Sequence, residues 1–219
     1  MLMVGKLYKI KNKLNMTDII IKEHTIIEDY LINKELVVID LGACRGEFSN
    51  EINKLYKLKH SILVEPNPSN FFLLENSPNF TLINKAVSSV SNSTVEFRED
   101  VNSPYNGSLV FNYFENAKVH SIGTITLKEL IDMANVTEID ILKVDIEGSE
   151  YDLLCNASNQ DLLRFKQITV EFHDFVDPTF REKNIQIEEK LLSIGFKVKK
   201  KGISYKSGSD YYDTLFYRS

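Results

Sequence analysis

A parallel α/β sheet with interleaved helices is the fold class this sequence predicts, on three observations. Short apolar, β-branched runs recur along the chain: Leu36 to Leu41 (LVVIDL), Ser61 to Glu65 (SILVE) and Ile139 to Val144 (IDILKV). Runs of this kind, bounded by turn residues, mark strands buried on both faces. Segments of helical period lie between them, so strand and helix alternate. A length of 219 residues, 43% hydrophobic and 26% charged, suits one large domain with a sizeable core.

The elements follow in order. Lys6 to Asn15 is a basic lead-in, and Thr17 to Asn33 is predicted as a helix, with Ile20, Ile27, Tyr30 and Leu31 near one face. The strand Leu36–Leu41 runs through a Gly-bearing turn into a helix carrying Phe48, Ile52 and Leu55. After Ser61 to Glu65, Asn67 caps a helix that has Pro68 at its first position and Phe71 and Leu74 facing inward. Phe80 to Ala86 is a third strand. Val95 and Phe97 then alternate with polar neighbours, as in a half-exposed strand. Glu99 to His120 is polar and aromatic with weak periodicity, and reads as a long functional excursion. Thr126 and Glu129 make a capping box. The strand Ile139–Val144 leads to a helix from Ser149 to about Ala157, and Gln167 to Phe172 is a fifth strand. A late helix carries Ile187, Leu191 and Ile194 and ends at Gly195. Two last strands lie near Phe196 to Lys200 and Asp213 to Tyr217. The expected division is a lead-in and helix over 1–34 and a main domain over 35–219.

Composition narrows the classes. A net charge of -5 does not suit a dedicated nucleic-acid-wrapping protein, and no nucleic-acid partner is expected. Cys44 and Cys155 form neither a disulfide framework nor a CxxC metal site, so reduced thiols in a cytoplasmic protein are expected. Met1 to Lys13 has no long apolar stretch, so neither a signal peptide nor a membrane span is expected.

Open α/β sheets bind ligands at the carboxyl ends of their strands. Four such strand ends carry polar residues. In Asp40-Leu41-Gly42-Ala43-Cys44-Arg45-Gly46 the glycines permit a sharp turn and close approach to a ligand, and Asp40 offers a carboxylate to a cationic one. Glu65 ends the next strand, where an acid can hold the two hydroxyls of a ribose. Lys143-Val144-Asp145-Ile146-Glu147-Gly148-Ser149-Glu150 packs charge around a strand end, which is costly unless the charges face a site or each other. Asp145 and Glu147 are expected to face the site, with Lys143 as internal counter-charge and Glu150 paired structurally. His173, in Glu171-Phe172-His173-Asp174, is the one His that follows a predicted core strand, and it is the candidate for proton transfer.

DLGACRGEFS, LVEPNP and LKVDIEGSEYDLL, in this order and spacing, resemble the FkbM family of S-adenosylmethionine-dependent methyltransferases over roughly Glu35 to Phe216. The resemblance implies a class I methyltransferase, Rossmann-like sheet of about seven strands, mostly parallel with an antiparallel C-terminal strand. It implies O-methylation, typically of sugar or polyketide-type hydroxyls. By position, Asp40, Gly42, Ala43 and Gly46 would line the methionine part of the donor, Glu65 would bind the ribose, and Asp145 and Glu147 would sit at the methyl-transfer centre. Cys44 stands where the family usually has Asn.

The expected chemistry is direct methyl transfer from a sulfonium to an acceptor hydroxyl, with the protein aligning the reactants and removing one proton. His173 is the expected base and Asp145 the alternative; a divalent metal held by Asp145 and a neighbouring acid is a further route. Tyr105, Phe111, Tyr113 and Phe114 would either wall a small-molecule or glycan acceptor or form a small satellite core. Two rivals are a nicotinamide-dependent Rossmann oxidoreductase, weakened by the absent G-x-G-x-x-G spacing, and a non-catalytic donor-binding scaffold.

Overall fold

The structure, a computed structural model, describes residues 9–11, 16–103, 107–112, 116–204 and 210–218. Fourteen strands are described: β1 (Lys9–Lys11), β2 (Thr17–Ile21), β3 (His24–Ile27), β4 (Leu36–Leu41), β5 (Leu58–Val64), β6 (Phe80–Ile83), β7 (Ala86–Val87), β8 (Thr94–Asp100), β9 (Gly107–Ser108), β10 (Ala117–Ile125), β11 (Ile139–Val144), β12 (Phe165–Glu171), β13 (Lys197–Ser204) and β14 (Asp210–Tyr217). The α-helices are α1 (Glu47–Leu55), α2 (Pro68–Phe71), α3 (Leu127–Ala134), α4 (Glu150–Asn156), α5 (Asn159–Leu162) and α6 (Arg181–Ser193).

Seven strands make the central sheet in the order β13-β14-β12-β11-β4-β5-β6. From β12 to β6 every pairing is parallel, and β14 runs antiparallel to both its neighbours. This is the predicted seven-stranded sheet with an antiparallel C-terminal strand. α1 is amphipathic through Phe48 and Ile52, and α3 begins at the predicted Thr126–Glu129 capping box. Asn67 caps α2 by accepting the Ser69 N–H.

The strand period of two sorts the core into two faces. Val37, Ile39 and Leu41 of β4, with Leu142 and Val144 of β11 and Ile168 and Val170 of β12, pack beneath α3, α4 and α6 in one apolar layer. Leu36, Val38 and Ile141 point the other way, under α1 and under Ile19, Ile21 and Ile26. Asp40, Lys143 and Thr169 occupy this second face in cross-strand register.

Residues 17–33 are not the predicted helix. β2 and β3 form an antiparallel hairpin, followed by a short 3-10 turn over Glu28–Tyr30. Ile19-Ile20-Ile21 and Thr25-Ile26-Ile27 are β-branched runs, stiff at χ1 and better suited to a strand. Tertiary contacts complete the choice: Gln167 accepts the Ile27 N–H at 2.6 Å and donates to its carbonyl at 3.2 Å, while Asp213 accepts the Thr25 N–H at 2.7 Å. The hairpin thus seals the second face of the sheet. Of the basic lead-in, only the backbone of Lys9–Lys11 falls within the described residues.

Half of the described residues from Glu99 to His120 are strand. β8 pairs antiparallel with β10 and β9, and β7 completes a small sheet in the order β7-β10-β8-β9. Among the described residues, no helix is long and apolar enough to cross a membrane.

Candidate active site

The chain leaves β4 toward β5 on one side, and β11 leads to β12 on the other. The strand order reverses between β4 and β11, which is where open α/β sheets form a ligand crevice. A cavity of about 560 Å³ lies there, within the usual range for small-molecule sites.

Gly42, Ala43, Cys44 and Glu65 line one flank of the cavity, as expected. Gly42 has φ +72°, and a Cβ there would lie 1.8 Å from the Asp145 carbonyl oxygen. The crossing of two strand ends therefore demands glycine even without a ligand. Gly46, φ +75°, starts α1 against Leu74 and Leu63 and does not line the cavity. Glu65 Oε2 accepts the Cys44 N–H at 2.7 Å and Oε1 accepts the Asn67 N–H at 2.8 Å. Burial pushes its carboxyl up to about 7, against the pull of those two bonds. Its remaining lone pairs can accept from ligand hydroxyls. Cys44 has φ +49°, a left-handed conformation that Asn adopts more readily. Burial, with Glu65 nearby, pushes its thiol up to about 12, so it is a neutral lining group near pH 7.

The other flank is charged. Asp40, expected against the donor, is fully buried and does not line the cavity. The strand period turns it under α1, where Ser49 donates to it at 2.8 Å and the Lys143 ammonium sits 3.5 Å away. Lys143 also donates to the Gly42 carbonyl at 2.6 Å and stands 3.4 Å from Asp145. Burial opposes its charge, but Asp145 and Asp40 outweigh burial and raise its pKa. Burial likewise opposes the charge on Asp145, but Lys143, His24 and His173 together outweigh it, so the Asp145 pKa is lowered. Asp145 and Glu147 both line the cavity; burial raises the Glu147 carboxyl.

His173 lies behind this flank. It is 3% exposed and is not among the cavity-lining residues. Its Nδ1 is 3.0 Å from Glu150, and its Nε2 is 3.4 Å from Glu147 and 4.0 Å from Asp145. Burial opposes its charge, but Glu150 and then Glu147 and Asp145 prevail and push it up to about 10. Glu150 also accepts the Ile146 and Gly148 N–H groups at 2.9 Å each, so it fixes the turn after β11. Phe111, expected in an acceptor wall, is instead buried between His173 and Phe180, with ring centroids at 6.3 and 6.1 Å. Tyr105, Tyr113 and Phe114 lie outside the described residues.

Two groupings bring three ligating atoms within 4.8 Å, His24 with Asp145 and Glu171, and Asp145 with Glu147 and His173. Both depend on Asp145, which already has the Lys143 ammonium 3.4 Å away. A divalent cation about 4 Å from that ammonium would be repelled by roughly 8 kcal/mol at an effective dielectric of ~20. Lys143 thus already supplies a cation to the carboxylate that both groupings share.

The sequence reading missed His24. It lines the cavity with Lys22 and Glu23 because the β2–β3 turn ends there. The signal was present in two β-branched runs separated by the three polar residues Lys22, Glu23 and His24, which is hairpin spacing.

Three comparisons bear on this architecture. The curated AMB antimetabolite synthetase AmbE of Pseudomonas aeruginosa is 27% identical over 97 residues, which are 44% of this chain and only 5% of that protein. The methyltransferase FkbM structure from Methylobacillus flagellatus KT superposes with a TM-score of 0.54 at 16% identity, covering 84% of this chain and 44% of that one. A delta-N METTL16 methyltransferase domain gives a TM-score of 0.51 at 11% identity, covering 88% and 78%. These likenesses place the fold among class I methyltransferases. The methyltransferase FkbM domain matches residues 40–198, from Asp40 in β4 to Val198 in β13, and the chain belongs to the FkbM methyltransferase family.

Proposed function

We propose that this protein is an S-adenosylmethionine-dependent O-methyltransferase acting on a hydroxyl of a glycan, sugar or related natural product. The carrying observation is the cavity at the β4/β11 switch point with the Glu65 carboxylate held at its rim by two backbone N–H groups. Glu65 is oriented for a ribose diol, Gly42 and Ala43 border the methionine part, and Asp145 and Glu147 border the methyl-transfer end. When bound, the donor supplies a methyl group on a sulfonium; the chain's own work is to align it, surround its positive charge with carboxylates and take one proton from the acceptor. His173, charged and set behind the cavity, serves this reading as the counter-charge that keeps Asp145 and Glu147 in place. The domain division at residue 35 is modified accordingly: the hairpin belongs to the catalytic unit.

Acidic lining favours a neutral acceptor over a polyanion, so nucleic acid is not the acceptor. The named antimetabolite synthetase among the relatives supports keeping small natural products beside glycans in the acceptor class. Two free thiols suit a reducing, cytoplasmic compartment. Titration with S-adenosylmethionine and S-adenosylhomocysteine should raise the melting temperature, and nicotinamide cofactors should not. No shift with either methyl-cycle ligand at millimolar concentration would overturn the reading. Glu65→Ala should raise the dissociation constant for S-adenosylhomocysteine about 10- to 100-fold, as expected for loss of charge-assisted hydrogen bonds.

A further inference from the structure

We propose that His24, delivered by the N-terminal hairpin, is the general base that takes the acceptor's proton; this rests on the methyltransferase reading above. His24 is 3% exposed, yet it lines the cavity, which His173 does not. Its ring is held edge-on to Phe48 at 5.6 Å between centroids. Its two nitrogens face different surroundings. Nδ1 points into the sheet, 3.5 Å from Thr169 Oγ1 and 3.9 Å from Asp213. Thr169 Oγ1 donates its hydrogen to Asp213 Oδ1 at 3.0 Å. The hydroxyl is then left to accept, so the hydrogen of a neutral His24 resides on Nδ1. Nε2 points to the cavity and stands 3.7 Å from Asp145 Oδ2. Its lone pair is presented where the acceptor must approach the methyl-transfer end.

The backbone supports this placement. Thr25 N–H is bonded to Asp213 at 2.7 Å and Ile27 to Gln167 at 2.6 Å, so the residues after His24 are pinned to β14 and β12. Lys22 and Glu23, which form the turn before it, both have positive φ, +48° and +74°. Two non-glycine residues in that region carry local strain, as found where a turn is held for function.

In the step itself, the acceptor O–H bond breaks and its proton goes to His24 Nε2. The oxygen's electron pair forms the new O–CH₃ bond, while the S–CH₃ pair returns to sulfur and leaves a neutral thioether. The imidazolium then carries the proton, with Thr169 and Asp213 behind it and Asp145 beside it.

The test uses the full chain saturated with S-adenosylhomocysteine. If that ligand does not bind the wild type, the methyltransferase reading fails, independently of His24. With it bound, nitrogen-15 imidazole spectra separate the four histidines of the sequence. His24, identified by the signal lost in His24→Gln or His24→Asn, should be the neutral Nδ1–H tautomer at pH 7.5. An Nε2–H tautomer or a charged ring would overturn the proposal even if neither variant turns over. With a labelled methyl donor and a panel of neutral glycan and natural-product acceptors, His24→Gln should lower turnover at least 100-fold. Its affinity for S-adenosylhomocysteine should stay within threefold. Turnover within threefold of wild type would overturn the proposal.

Discussion

The two faces of the central sheet are made by the same strands and differ in kind. Beneath α3, α4 and α6, the buried side chains of β4, β11 and β12 are aliphatic. On the face covered by α1 and the hairpin, one residue along, Asp40, Lys143, Gln167, Thr169 and Asp213 are buried as well. The first face is held by area removed from water, which is non-directional and tolerant. The second is held by paired charges and hydrogen bonds, each of which needs its partner. The cavity opens where the polar face reaches the strand ends, so that face both holds the hairpin and supplies the chemistry.

Lys143→Met should break the contrast most severely. It strips the ammonium from Asp40 and Asp145, and leaving buried charge unpaired costs about 4 kcal/mol in unfolding free energy. Adding Asp40→Leu should recover part of that loss in denaturant unfolding; no recovery would show that the pairing is not what matters.

Leu142→Ala, next along β11 but on the aliphatic face, should cost about 3.5 kcal/mol through a cavity in the core. It should leave S-adenosylhomocysteine affinity unchanged, by calorimetry, because nothing at the site moves. A matching loss of affinity would mean that the two faces are not separable.

Glu65→Gln sharpens the comparison through pH. The folded-state carboxyl is raised to about 7, above its ordinary value of 4.5. Between these values the folded protein binds more protons than the unfolded chain, so the Glu65 contribution to stability falls as pH rises through that window. Glu65→Gln lacks this term. The variant's stability relative to wild type should therefore climb by roughly 3 kcal/mol from pH 4.5 to 7.5. A flat difference would show that the burial penalty is absent.

The smallest effect lies in the hairpin turn. Lys22→Asn with Glu23→Gly suits the two positive φ angles and should add about 1 kcal/mol. If stability is unchanged, the turn carries no strain.

Much of the aliphatic face could be read directly. LVVIDL and IDILKV are uniform enough to identify buried strands, and T-x-x-E marks the start of α3 through bonds three residues apart. Glu65, Asp145 and Glu147 were legible as cavity-lining residues because they follow such strands closely. Asp40 was placed in the right turn and on the wrong side of it, since nothing nearby in sequence announces Ser49 and Lys143 as its partners. His24 was not legible at all while its segment was taken as a helix.

By itself, the sequence determined the order of the central-sheet strands from β4 to β12, the glycine turn after β4, and which strand ends carry acids. These follow from spacing over a few residues, where backbone sterics and hydrophobic period act. Tertiary structure alone decided the fate of the N-terminal segment and the surroundings of His24. Thr25 meets Asp213 188 residues away, and His24 meets Thr169 and Asp145 across 145 and 121 positions. Contacts at that range exist only after the sheet has assembled, so they override a local pattern that a short run of isoleucines leaves ambiguous between helix and strand.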